Sequence, residues 1–269
     1  MWLFLILPAV LILFYLLLLQ CRRCCTGMKD LRGWNYAHRG LHGNGIPENS
    51  MAAFRLALEK GYGIEFDVHL LSDGGLAVIH DASLRRTAGV DIQIEDLTLA
   101  QLNSYYLEGS KETIPTFSQV LELYSGAAPL IIELKAERGN YAALCEAVCK
   151  ALDDYQGAYC IESFDPRCIF WLRKHRKNVI RGILAMNYFR HNKSSLPFIL
   201  KFVLTHNLLN FLIRPDFIAY RFEDRRLLGN FISRKLWGAQ GVTWTIKTPE
   251  EHEAAVKDEW LSIFEGFCP

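Results

Sequence analysis

Residues 63–81 read GIEFDVHLLSDGGLAVIHD. Two short β-rich runs stand out in it, Gly63–His69 and Leu76–His80. Side chains alternate between the two faces of a strand, so Glu65 and Asp67 point to the same side. The second run ends in His80-Asp81. Buried charge is costly unless paired, so structural strands ordinarily stay apolar to their ends. Carboxylates inside one run and a histidine closing the next therefore mark a site.

The pattern extends in both directions. Trp34–His38 ends in His38-Arg39-Gly40, and Leu130–Lys135 ends in Glu133-Leu134-Lys135. Further β-rich runs are Tyr159–Phe164, Ile180–Ala185, Phe217–Arg221, Gly241–Ile246 and Leu261–Phe264. Helix signals lie between most of them. Ser50 caps a helix running to about Lys60, where Gly61 stops it. Thr98 with Gln101, and Thr116 with Gln119, are capping boxes. Asp165-Pro166 and Thr248-Pro249 are helix starts with proline in the first turn. Strand–helix alternation predicts a parallel sheet with helical crossovers, and eight or nine strands fit a (β/α)8 TIM barrel over residues 34–269. No Gly-rich turn follows the first run, which leaves a dinucleotide fold little support.

Lys and Arg number 30 against 29 Asp and Glu, which argues against nucleic-acid binding through bulk charge. With 51% hydrophobic and 22% charged residues the chain is not disordered. No charged side chain precedes Arg22, and Trp2–Leu19 is apolar without a break. That run is expected to be one transmembrane anchor, residues 1–21, followed by a juxtamembrane linker, 22–33. It lacks the basic start and small-residue cut of a cleaved signal. Arg22, Arg23 and Lys29 follow it, so the body is expected on the cytoplasmic side. Cys21, Cys24 and Cys25 fall at the membrane edge, open to acylation or simply free thiols. The remaining cysteines lack paired zinc-ligand spacing and read as buried reduced thiols.

Catalytic side chains of such barrels come from the C-terminal ends of strands. Glu65, Asp67 and Glu133 form a hard-oxygen site suited to Mg²⁺ or Ca²⁺ rather than zinc. His38 and His80 supply a general acid and a general base near neutral pH. Arg39 and Lys135 suit an anionic oxygen group. Three carboxylates, one divalent ion, two cations and one phosphodiester sum to zero charge. Trp244 and Phe164 end runs on the pocket side, where they either pack on substrate carbon or fill the barrel core. Asn49 is either a helix cap or a contact of the metal site. Asp81 either fixes a histidine tautomer or caps a loop, and His69 is read as a spectator. Leu196–Ile213 is either an apolar lip resting on a bilayer or an ordinary barrel helix.

His38-Arg39-Gly40, Pro47-Glu48-Asn49-Ser50, Glu65-x-Asp67-Val68, Asp73-Gly74, His80-Asp81 and Glu133-Leu-Lys135, in this order, resemble the glycerophosphodiester phosphodiesterase family. The resemblance covers about residues 34–269 and includes Trp244-Thr245 near the seventh strand. It implies a (β/α)8 barrel that hydrolyses small glycerophosphodiesters to glycerol 3-phosphate and an alcohol. Glu65, Asp67 and Glu133 would hold the divalent metal. His38 and His80 would be the acid–base pair, and Arg39 and Lys135 would contact phosphate. The nucleophile is either water or the glycerol 2-hydroxyl. Two rivals remain: a phospholipase D-type enzyme acting on membrane lysolipids, and a non-catalytic membrane protein that binds phosphodiesters. The family's last strand often ends Thr-Asp-x-Pro, whereas this chain has Glu265-Gly266-Phe267-Cys268-Pro269, leaving Glu265 without a role. Residues 82–114 fall where the family carries an insertion that borders the pocket.

Overall fold

The structure, a computed structural model, describes residues 2–23, 26–191 and 196–269. All nine β-rich runs form strands: β1 (Tyr36–His38), β2 (Gly63–Leu70), β3 (Leu76–Val78), β4 (Leu130–Leu134), β5 (Tyr159–Ser163), β6 (Arg181–Ala185), β7 (Phe217–Arg221), β8 (Gln240–Ile246) and β9 (Trp260–Phe264). Eight are parallel, in the order β1-β2-β4-β5-β6-β7-β8-β9. The ring closes because β1 pairs with both β2 and β9. The third run, Leu76–His80, is no barrel strand: β3 lies antiparallel on β2 beyond the barrel rim. The expected (β/α)8 barrel is the fold.

The helices between the strands are α2 (Met51–Glu59), α3 (Phe117–Tyr124), α4 (Tyr141–Ala151), α5 (Pro166–His175), α6 (Phe198–Thr205), α7 (Asn210–Ile213), α8 (Leu228–Lys235) and α9 (Pro249–Lys257). Their starts follow the capping chemistry. Ser50 Oγ accepts from the Ala53 amide, Asp165 from Arg167, and Thr248 from Glu251. The Thr116–Gln119 box caps α3, but the Thr98–Gln101 box starts only a 3-10 turn, Leu99–Ser104. The stretch Leu196–Ile213, read as either a lip or one barrel helix, is broken into α6 and α7 by a turn at His206–Leu209.

Alternation along β2 sorts the two cores. Ile64, Phe66 and Val68 point outward and pack under α2 and α3 with Phe54 and Phe117. Inside the barrel, Tyr36, Ile131, Cys160, Phe217, Val242 and Ile263 fill the lower layers. A 3-10 turn, Thr26–Leu31, seals the floor: Met28 and Leu31 join that inner cluster, and Tyr36 Oη donates to the Leu31 carbonyl at 2.6 Å. Residues 22–33 therefore include a packed element of the barrel.

The apolar N-terminal run does form a helix, α1 (Trp2–Leu18), but the expected transmembrane anchor is not supported. Among the described residues no helix is long and apolar enough to cross a membrane. At a rise of about 1.5 Å per residue this one spans about 25 Å, short of the roughly 30 Å of a bilayer core. The residues that would have extended it are used against the barrel. Leu19 and Cys21 are buried, Ser233 Oγ donates to the Leu19 carbonyl, and Trp237 Nε1 donates to Leu16 at 2.9 Å. Arg22 pairs with the buried Asp216 just before β7. Cys21 is buried rather than open at a membrane edge, and burial pushes its thiol up to about 12. Cys24 and Cys25 lie outside the described residues. Cys145, Cys149, Cys160 and Cys168 are buried, as expected, but Cys268 near the C-terminus is exposed.

Candidate active site

The charged side chains gather at the C-terminal ends of the strands. Register explains how. His38 pairs with Glu65 across β1–β2, and Asp67 with Glu133 across β2–β4. Glu65, Asp67 and Glu133 are all buried, and each offers an oxygen within 4.8 Å of the others'. Lys135 Nζ bridges Asp67 Oδ1 at 2.9 Å and Glu133 Oε1 at 2.6 Å. Asn49 Nδ2 donates to Asp67 Oδ2 at 2.8 Å, which decides its role in favour of the site. Arg39 Nε lies 3.5 Å from the same oxygen, and Arg39 Nη1 donates to Glu48 at 2.9 Å.

The turn that presents Arg39 is tight. Arg39 and Gly40 both have positive φ, 54° and 80°. A Cβ at Gly40 would meet Ala53 at 2.8 Å and Phe54 at 2.9 Å, so only glycine lets this turn sit on α2.

Both histidines have carboxylate partners. His80 Nδ1 meets Asp81 at 2.6 Å, so Asp81 fixes its ring. His38 Nδ1 meets Glu265 at 2.7 Å, and its Nε2 faces Glu65 at 3.9 Å. Glu265, left without a role by the sequence, is thus the partner of His38. Arg86, from the insertion, donates to Asp81 at 2.5 Å and to Glu48 at 2.6 Å. A continuous chain of hydrogen bonds and ion pairs therefore runs His80–Asp81–Arg86–Glu48–Arg39. His69, read as a spectator, touches none of the clustered carboxylates but has a structural part beside His80. It is buried, meets Glu95 of the insertion at 2.6 Å, and its Nε2 donates to the His80 carbonyl at 3.2 Å.

Burial raises the carboxyls of Glu65 and Glu133, and neighbouring carboxylates add to it; Glu133 reaches about 7. Burial works against Asp67 as well, but Lys135, His80 and Arg39 outweigh it and hold it well below its usual range. Desolvation and the Lys135 charge push His80 down to about 4, and desolvation lowers His38. Hydrogen bonding to His38 brings Glu265 down to about 2. Two crowded carboxyls raised chiefly by burial, beside a third that stays charged, are a donor set suited to a hard divalent cation.

Trp244 and Phe164 line the far wall of the same cavity, their rings edge to face at 5.6 Å, with Leu184. Glu162 of β5 lines it too, beside Glu133 in register. It went unread in the sequence although it interrupts an apolar run as Glu133 does. Residues 82–114 pack as a small core around Leu84, Ile94 and Leu102 against Ala77 and Ile79, beside His80.

Fold and site together define a (β/α)8 barrel with three buried carboxylates and two carboxylate-partnered histidines gathered at its C-terminal face. Comparison with known proteins narrows this. The chain belongs to the glycerophosphoryl diester phosphodiesterase family, whose model matches residues 38–257. It is 41% identical over 163 residues to a glycerophosphodiester phosphodiesterase of Bacillus altitudinis, covering 56% of this chain and 66% of that protein. The match thus spans just under two thirds of that relative's length. A lysophospholipase D of Rattus norvegicus is 31% identical over 133 residues, 45% of this chain and 41% of that protein. Among solved structures, an Oleispira antarctica phosphodiesterase in complex with the product sn-glycerol-3-phosphate shares the fold. Its TM-score is 0.72 at 22% identity, with 88% of this chain and 94% of that one covered.

Proposed function

We propose that this chain hydrolyses glycerophosphodiesters to glycerol 3-phosphate and an alcohol. The observation that carries the reading is the meeting of two carboxylate-partnered histidines at one buried carboxylate cluster. Glu65, Asp67 and Glu133 hold the divalent metal, Mg²⁺ or Ca²⁺, which supplies charge stabilisation at the phosphoryl oxygens. Arg39 and Lys135 face the phosphate with fixed positive charge. One histidine takes the proton of the nucleophile and the other returns one to the leaving oxygen. Glu265 and Asp81 hold the Nδ1 side of each ring, leaving Nε2 for that proton. Purified protein given glycerophosphodiesters with Mg²⁺, Ca²⁺ or chelator should release glycerol 3-phosphate only with metal. Metal-independent release, or none, would reject this reading.

One observation favours a second reading, turnover of membrane lysolipids. Phe198 and Ile199 of α6 are 73% and 75% exposed, and Phe189 packs on Phe198 at 5.3 Å beside the loop leaving β6. These rings, with the exposed apolar face of α1, suit a lipid surface. Under this reading the barrel lies on the cytoplasmic side of that surface. Turnover of lysolipid in vesicles without turnover of soluble diesters would favour it. An external C-terminal reporter would reject the location.

A further inference from the structure

A second cluster of metal donors lies behind the first. His38, His42 and Glu265 each offer one ligand atom, and the three atoms lie within 4.8 Å of one another. All three residues are partly buried. Separate constraints bring them together. Glu265 follows β9, and its amide donates to the Ile246 carbonyl of β8 at 2.9 Å. His38 ends β1, with Nδ1 2.7 Å from Glu265 Oε2. Gly40, at φ 80°, turns the chain back between the two histidines, and the His42 amide donates to the Gly40 carbonyl at 3.1 Å. His42 Nε2 is buried and has no hydrogen-bond partner among the described residues. A buried polar atom left unpaired costs free energy, and a bound ligand removes that cost. Of the three, only His38 lines the cavity that holds Glu65, Glu133 and Lys135. The second cluster therefore sits on the Nδ1 side of the His38 ring, away from the reacting side.

The donors decide the ion. Two imidazole nitrogens and one carboxylate oxygen suit Zn²⁺, which takes three such ligands and leaves a fourth position for water. Mg²⁺ and Ca²⁺ want oxygen throughout and fit the Glu65, Asp67 and Glu133 cluster instead. Donors on a tetrahedral zinc lie roughly 3.3 Å apart, so the cluster has to contract slightly. The exposed turn Gly43-Asn44-Gly45 beside His42 takes up that movement, its two glycines at positive φ. We infer that His38, His42 and Glu265 form an inhibitory Zn²⁺ site, separate from the carboxylate cluster. Zinc takes the Nδ1 lone pair of His38, and the ring's one proton moves from Nδ1 to Nε2. Nε2 is the nitrogen that the reaction uses, and once protonated it has no lone pair left to accept with. Glu265 changes from partner of the ring to ligand of the ion. The ring then cannot cycle a proton, and turnover stops while the hard cation stays bound. Zinc binding stands without the phosphodiesterase reading; the inhibition rests on it. His42 separates the two clusters, since zinc binding needs it and the reaction does not.

The test uses full-length protein with Mg²⁺ or Ca²⁺ in excess and adds Zn²⁺. His42→Asn should keep activity on glycerophosphocholine within about 3-fold in the absence of zinc, which also shows that it folds. It should raise the zinc concentration for half-inhibition by about 10- to 100-fold. Zinc affinity, read by competition with a chromophoric chelator, needs no substrate. It should fall by about the same factor in His42→Asn and in Glu265→Gln. If His42→Asn does not fold, Glu265→Gln carries the affinity test. Equal zinc inhibition of wild type and His42→Asn would put the ion on the carboxylates and overturn the site. So would unchanged zinc affinity in either variant, or a wild type that binds no zinc under excess Mg²⁺ or Ca²⁺. If wild type cleaves no glycerophosphodiester yet binds zinc in a His42-dependent way, the activity falls and the zinc site stands.

Discussion

The two histidines of the site are held in opposite ways. His80 takes its carboxylate from the next residue, Asp81, and the pair sits at the rim, with side chains 32% and 29% exposed. His38 takes its carboxylate from Glu265, 227 residues away, and the two meet only because β1 closes the barrel against β9. His80 is tied by Arg86, Asp81 and His69 to the insertion, whereas His38 is tied to the ring of strands. One arm can change with the insertion; the other is as rigid as the barrel.

Removing the rings tests both arms at once. His38→Ala and His80→Ala should each lower kcat by about 10²–10⁴-fold with metal binding retained, read by activity and by calorimetric metal titration. The partners should then separate the arms. Glu265→Gln should cost about 10- to 100-fold in kcat, because among the described residues it is Glu265 that holds His38 Nδ1. Asp81→Asn should cost about 10-fold or less, since His69 still fixes the His80 backbone. A larger loss at Asp81 than at Glu265 would reverse the comparison. Arg86→Ala should have a smaller effect, about 3- to 10-fold in kcat/KM, because Arg39 still holds Glu48.

Acid titration in chelator gives the smallest effect and places the arms in different windows. The folded His80 titrates near 4, below its ordinary 6.5, so the unfolded chain binds more protons between those values. Its contribution is complete above about pH 6.5 and is lost as pH falls toward 4. Glu265, at about 2 when folded against an ordinary 4.5, contributes above about 4.5 and loses it toward 2. Urea titrations across pH should show His80→Gln flattening the upper window and Glu265→Gln the lower. Either variant flattening the other's window would contradict the assignment.

The same contrast governs what could be read from the sequence. The barrel was legible because β-rich runs and helix caps alternate, and Glu65, Asp67 and Glu133 were legible because inward carboxylates break apolar runs. His80–Asp81 needs only adjacency. His38–Glu265 needs ring closure, which no local pattern records. Glu162 carried the same signal as Glu133 but lacked a second ionisable group in its strand. His69 pointed inward with Asp67, yet its partner Glu95 lies in an insertion whose fold has no periodic signature. The N-terminal run misled because an unbroken apolar stretch does not show how much of it the helix uses: α1 stops at Leu18, and Leu19 and Cys21 are buried against α7 and α8 while residues 6–14 stay exposed.

The turn beneath the barrel has a practical consequence for anyone shortening this protein. A version starting at Trp34 would strip Met28 and Leu31 from the inner cluster and leave the buried Asp216 without its guanidinium. The lower mouth would then be an open greasy socket beside an acid held only by the Arg181 amide, prone to self-association. Trimming should stop ahead of Arg22, so that the segment most easily taken for a tether stays in place as a stopper.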